Sequence, residues 1–407
     1  MSYSTVRLGD IATVSSSKRI FARQYVPSGI PFYRQKEIIE KKNKVEISDP
    51  LFISKETFED IKGRYGAPQK GDLLITAVGV TLGIPYVVGD EVFYFKDGNL
   101  IWLKDFVDGI NSTYLYYWIT SDIGQKSMWS RTIGSAQPAL TIDTLKQFEI
   151  PVPEYETQCR IADILSAYDA LIDNNQNQMK LLEEAAQRLY KEWFVDLHFP
   201  GYEDTPIVDG MPEGWTKCSI MDNDVFIFAK SKVAPFEGKK LYYATADVTG
   251  TEISGDGEWI NFKNKPSRAA IQPINESVWF ARMSNSYKIL CCYGDSSYLS
   301  ETAIISSGFA GFTALKGCFG FVFATIASKG FDEEKNRYAT GATQVSLTNE
   351  GLKKIQVVLP TKDVAEEYSR IVEPYIEKTE QLKGSIKLLR QARDRLLPKL
   401  MSGEIEV

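Results

Sequence analysis

His198 is the single histidine among 407 residues. A serine or cysteine nucleophile therefore has at most one imidazole to activate it, and a metal has no histidine pair to sit between. We read His198 as a linker residue. The five cysteines, Cys159, Cys218, Cys291, Cys292 and Cys318, are odd in number and irregularly spaced with no CxxC pair, which points to free thiols. Asp143 and Glu350 are carboxylates at matching positions of an internal repeat, but both sit beside framework residues, so a dispersed catalytic pair is discounted. No GxxxxGK[ST] phosphate loop, Asn-Pro-Pro-aromatic segment or glycine-rich cofactor loop after a strand occurs. The chemistry on offer is that of a binding protein.

A chain of this length has room for two or three domains, and its 43% hydrophobic and 12% aromatic content suits packed cores. No stretch approaches the roughly 18 apolar residues of a membrane helix. The opening MSYSTVRLGD lacks the layout of a signal peptide, so a cytoplasmic protein is expected. The net charge of −6 argues against phosphate binding. Its distribution weakens that objection. Residues 1–150 carry 18 basic and 17 acidic groups and residues 211–360 carry 16 and 15, whereas residues 151–210 carry 4 and 12. Residues 361–407 balance at nine each, so the acidity belongs to one spacer and leaves two near-neutral segments on either side of it.

The chain is built twice. Residues 134–194 lie on 341–401 without a gap, with 15 of 61 positions identical, among them Gly134, Gln137, Leu140, Thr141, Lys180, Leu181 and Leu182 on Gly341, Gln344, Leu347, Thr348, Lys387, Leu388 and Leu389. Upstream, Tyr33–Ile38 can be set against Tyr243–Val248, and Gly71–Ile75 against Asn275–Phe280. LLITAV, YVVGDEVFYF, VWFARM and AIISSGF have the apolar, β-branched character of strands.

Each copy ends in a heptad-spaced tail. Ile161, Leu165, Tyr168, Ile172, Asn175, Met179, Leu182, Ala186, Leu189 and Trp193 alternate steps of four and three, as do Tyr368, Val372, Tyr375, Thr379, Leu382, Ile386, Leu389, Arg393, Leu396 and Leu400. The spacing predicts two helices of roughly 35 residues, each on the order of 50 Å long, with the aromatic seam residues in the core. Asn175, Thr379 and Arg393 are polar interruptions of the seam. Pro151 and Pro153 followed by Glu154 and Glu156 signal the first helix start. Pro374 predicts a kink in the second helix and Gly384 a weak point. PGYEDTPIVDGMPEGW, rich in proline and glycine, reads as a linker. The domain reading is 1–150 and 215–360 as two recognition domains, 151–199 and 361–407 as helical spacers, and 200–214 as linker. The expected fold class is α+β, with two mixed α/β domains separated by two long helices that pair as an antiparallel coiled coil.

This pattern resembles the specificity subunits of type I restriction-modification systems, in which two variable target recognition domains alternate with two similar helical regions. The residues that carry the likeness are VRLGDIA (Val6–Ala12), GDLLIT (Gly71–Thr76) and GSAQPALTIDTLKQFEIPVPEYETQCRIADIL (Gly134–Leu165), followed by PEGW (Pro212–Trp215), GATQVSLTNEGLKKIQVVLP (Gly341–Pro360) and RDRLLPKLMSGEIEV (Arg393–Val407). NESVWFARMSNSYKIL departs from it, replacing the usual strand that begins with Gly-Asp. The resemblance implies a non-catalytic reader of a bipartite, asymmetric double-stranded DNA site. It also implies partners: methylation subunits, two of them by the duplication, and restriction subunits, which would hold the methyl donor, ATP and magnesium. Outward apolar residues of the helices are the expected docking sites.

Base reading needs side chains with paired donors and acceptors. The candidates are Arg34, Gln35, Lys36, Arg64, Thr76, Arg131, Ser135 and Gln137 in the first domain, and Thr245, Arg282, Asn285, Tyr287, Lys288, Arg337 and Gln344 in the second. Gln137 and Gln344 suit shared framework or phosphate contact, because a repeated residue cannot distinguish two half-sites. The rival reading is a coiled-coil scaffold with two tandem domains that do not bind DNA. It leaves the divergence of matched domains without a reason.

Overall fold

The computed structural model describes residues 3–132, 138–294, 299, 303–342 and 344–407. They form two compact units, Met1–Ala170 with Arg390–Val407, and Leu171–Leu389. Each unit takes in helical segments as well as sheets, because the apolar side of a helix is buried against its own unit's core.

In the first unit, one four-stranded sheet runs in the order Thr13–Ser15, Leu100–Lys104, Leu73–Thr76, Pro85–Val87. Its central strand, LLIT, is buried on both faces and pairs antiparallel with LIWLK, Leu74 opposite Trp102. A second sheet orders Tyr25–Val26, Leu51–Ile53, Ile30–Tyr33 and Tyr94–Phe95, the last pair parallel.

The second unit repeats the first sheet strand for strand: Phe226–Phe228, Phe309–Ala314, Ser277–Ala281, Ile289–Cys292. All five residues of SVWFA are buried. Trp279 faces Gly311 across the ladder, where a Cβ would overlap the indole, so that position admits only glycine. The other sheet of this unit likewise holds a parallel pair, Lys240–Tyr243 with Ala303–Ser306.

The duplication extends to the helix caps. Ser121 accepts from the Gly124 amide at 3.2 Å and Ser328 from the Phe331 amide at 3.2 Å; Thr141 and Thr348 cap the next short helices, each at 3.1 Å. Tyr33–Ile38 and Tyr243–Val248 also correspond. In each, the amide after the tyrosine donates at 2.7 Å to a carboxylate three residues on, Arg34 to Glu37 and Ala244 to Asp247.

The two long helices are Tyr155–Tyr190, which ends in a π-helical turn at Lys191–Val195, and Lys362–Ser402. One local expectation is corrected. Pro151 does not start the helix; it lies in the strand Glu149–Val152, where pairing on one side with Ser4–Arg7 does not need its missing amide hydrogen. The second helix continues through Pro374 as one element, its neighbours Val372 and Ile376 held in the core. Within the second unit the helices pair antiparallel. Ile172, Met179, Leu382 and Ile386 form a buried cluster, Asn175 donates to Ser385 at 3.2 Å, and the Tyr368 hydroxyl donates to the Ala186 carbonyl at 2.8 Å. The linker region folds a short hairpin, Ile207–Val208 with Met211–Pro212, and Trp215 packs against Phe199 with the tilted rings 4.8 Å apart at their centroids. Among the described residues, no helix is long and apolar enough to cross a membrane.

Candidate nucleic-acid interface

Both sheets that share a strand order carry, between their third and fourth strands, a loop held by the same three contacts. In the first unit Leu140 N donates to Ala77 O at 2.8 Å, Gly79 N to Pro138 O at 2.9 Å, and Val78 bridges Ala139. In the second unit Leu347 N donates to Arg282 O at 2.8 Å, Ser284 N to Val345 O at 3.0 Å, and Met283 bridges Ser346. Counted from these contacts, Val80 and Asn285 occupy the same place at the two tips.

Each loop is braced by a side-chain amide from its own unit. Gln35 donates from Nε2 to Val78 O at 2.9 Å and to the Thr81 hydroxyl at 2.7 Å, while the Oδ1 of Asn336 accepts from the Asn285 amide at 2.8 Å. Thr76, fully buried, donates to Thr81 O and accepts from Ile84 N at 2.8 Å. Buried Lys335 donates to Ser286 O at 2.7 Å. Asn285 sits at φ 53°, a conformation asparagine tolerates better than most residues. Val80 is 91% exposed.

Several of the sequence candidates are thus committed to holding the fold. Gln35 and Thr76 brace the first loop. Arg34 grips buried Glu37 and reaches Asp49 at 3.3 Å. Burial opposes the charge on Glu37, yet the hydrogen bonds from Arg34 keep its carboxyl below the usual range. Arg282 donates to Leu347 O and Asn349 Oδ1, both at 2.9 Å, and Lys288 to Thr245 O at 2.7 Å. Arg131 lies over the Phe148 ring at 4.9 Å and donates to Gln147 O. Arg64 and Arg337 pair with Asp60 and Glu334 on their own helices and are two-thirds exposed, and Lys36 donates to Ser48. Such surface pairs contribute little to stability and open readily to another anion. Asn285, Tyr287 and Gln344 are exposed, Tyr287 anchored through its hydroxyl to Ala327 O at 3.1 Å. Ser135 and Gln137 lie outside the described residues. The sequence reading missed Val80; the glycines flanking it, Gly79 and Gly83, both at positive φ, were the available turn signal.

A second polar feature of each unit lies in the helical seam. In the first, Arg393 donates to Asp169 at 2.5 Å and the Tyr117 hydroxyl donates to the same carboxylate at 2.6 Å. Burial lowers the pKa of neighbouring Lys42 to about 8, with repulsion from Arg393 adding to the shift and Asp169 opposing it. In the second, Lys383 donates to Glu380 at 2.8 Å, and Glu183 accepts from Thr251 at 2.8 Å. Burial pushes the Glu183 carboxyl up; burial works against the Lys383 charge, but its carboxylate neighbours hold the ammonium above the ordinary lysine range.

With this geometry established, comparison with known proteins gives consistent results. Residues 2–184 match the family model for the type I restriction modification DNA specificity domain. The matched segment is a little under half of the chain. The chain is 25% identical over 315 residues to the MjaIX specificity subunit of Methanocaldococcus jannaschii, covering 74% of this chain and 70% of that one. A putative specificity subunit of Haemophilus influenzae, S.HindORF215P, is 31% identical over 193 residues, 47% of this chain and just under half (46%) of the relative. The crystal structure of the type I restriction-modification S subunit from M. genitalium covers 98% of this chain and 96% of its own, with a TM-score of 0.60 at 15% identity. The fold is therefore that of the M. genitalium S subunit.

Proposed function

We propose that the chain reads a bipartite, asymmetric double-stranded DNA site, one short tract per unit. The observation that carries this reading is the duplication of one loop frame with unlike tips. Equal frames present equivalent reading positions, and unlike tips give two different sequences. An asymmetric site read on one face of the duplex asks for half-sites spaced near one helical turn, roughly 34 Å. Footprinting of the chain with its co-purified partners is expected to show two short protected tracts separated by an unread gap. A single continuous tract would overturn the reading.

The chain itself is read as non-catalytic, with the methyl donor, ATP and magnesium held by methylation and restriction subunits in the cytoplasm. Support for two equivalent methylation subunits comes from the helices. Leu181 and Leu388, identical positions of the repeat, are 65% and 67% exposed, although each adjoins a seam leucine that packs inward. A twice-repeated exposed leucine fits one kind of partner bound twice. Leu181→Glu and Leu388→Glu are each expected to remove one methylation subunit in native mass spectrometry, and the double variant both, with thermal stability changed by less than about 0.5 kcal/mol as for other surface sites. Because both recognition segments are near neutral in charge, the chain without partners is expected to bind DNA weakly in physiological salt. Nanomolar affinity of the isolated chain would contradict that.

A further inference from the structure

We infer that the equivalent tip residues Val80 and Asn285 are the specificity-determining pair, Val80 reading a thymine by contact with its methyl group and Asn285 reading an adenine through paired hydrogen bonds. This rests on the bipartite reading above and names the side chains that perform it.

Three observations carry the assignment. The tips stand at one position of a frame that the chain builds twice, fixed by the Leu140/Leu347 and Gly79/Ser284 amides and the Val78/Met283 bridges. What differs between the loops is chemistry: AVGVTLG is apolar and small, RMSNSYK polar and larger. Both tips are also held rigid before any ligand arrives, one by Gln35 and Thr76, the other by Asn336 and Lys335, so little ordering is left for binding.

A β-branched side chain 91% exposed on a rigid loop is unusual, since an apolar group gains nothing from water and a loop tip is free to carry a polar one. The thymine methyl is the apolar mark on a major-groove edge, and adenine offers there the N7 acceptor and N6 donor that match one carboxamide. The braces bear on the same point. The Nε2 of Gln35 and the Oδ1 of Asn336 are taken by backbone and hydroxyl groups of the loops, which leaves the tip side chains to face outward.

The test uses the full chain co-purified with its partners and a library of duplexes carrying the footprinted site. With the wild-type chain, replacing thymines one at a time by uracil, which lacks the methyl, is expected to weaken binding about fourfold at one thymine of the first tract, the value of one buried methylene-sized group. Replacing adenines by 7-deazaadenine is expected to weaken it at one adenine of the second tract, by about tenfold for loss of a paired contact. Val80→Asn should abolish the uracil effect and change the preferred base at that position alone. Asn285→Gly, which keeps the backbone conformation, should abolish the deazaadenine effect and leave the first tract unchanged. Should the wild type protect two tracts while both variants keep its base profile, or lose affinity uniformly for all sequences, the assignment of the tips is overturned and the bipartite reading stands. If the wild type protects no divided site, both fall.

Discussion

Lys383→Met is expected to lower the stability of the second unit by about 3–5 kcal/mol, the range for removing one partner of a buried ionic set. Lys383 and Glu380 are 15% and 5% exposed in their side chains, so solvent screens them little. The substitution keeps the side chain's length but leaves Glu380 and Glu183 buried together without a cation, with the fully buried Cys291 thiol beside them. Hydrogen exchange resolved to peptides of residues 171–389 would show the loss as faster exchange in the strand Ser277–Ala281 and in the helix facing it. Adding Glu183→Gln and Glu380→Gln should recover most of the loss, because a carboxamide at position 183 can still accept from Thr251 and no uncompensated charge remains. Failure of that rescue would mean that Lys383 acts through its packing and not its charge. The pH dependence has a definite sign. The folded pKa of Lys383 lies above its ordinary 10.5, so its contribution is complete below about 10.5 and is lost as pH rises through the folded value.

Arg393→Met is the corresponding test in the first unit. Arg393 and Asp169 are 29% and 30% exposed, more than their counterparts in the second unit, and Asp169 keeps the Tyr117 hydroxyl when the guanidinium is gone. The expected loss is about 2 kcal/mol, the scale of a charge-assisted hydrogen bond. A second readout separates charge from packing. Lys42, whose pKa burial lowers from 10.5 to about 8, is repelled by Arg393 and attracted by Asp169. Removing the guanidinium takes away the repulsion and strengthens the attraction, so the Lys42 pKa should rise, measurable by NMR of the labelled lysine. In the wild type a depressed lysine pKa disfavours the folded form while the ammonium is charged, so stability from this group rises as pH increases from about 8 toward 10.5. That rise should shrink in Arg393→Met.

These two clusters give the polar seam positions a physical role. Asn175 and Thr379 are satisfied locally, Asn175 by Ser385 and Thr379 by the Tyr375 carbonyl at 2.8 Å. Arg393 is different: it joins the second long helix, through Asp169, to the end of the first helix that belongs to the same unit.

Much was legible in the residues alone. The ungapped repeat, the heptad seam and the capping threonines Thr141 and Thr348 are local or periodic signals, and a periodic signal can be read without knowing what it packs against. The likeness to specificity subunits followed from the order of short fragments repeated along the chain. What tertiary structure alone decided is which polar groups are free. Gln35, Thr76 and Arg282 are the residue types that read bases, yet their donors are taken by Val78, Thr81, Leu347 and Asn349, partners up to 67 residues away along the chain. Residue type states what a side chain is able to donate or accept; only packing states to whom. For the same reason Val80, with no polar atom to draw notice, became a candidate reader only once the frame beneath it was seen to match the one beneath Asn285.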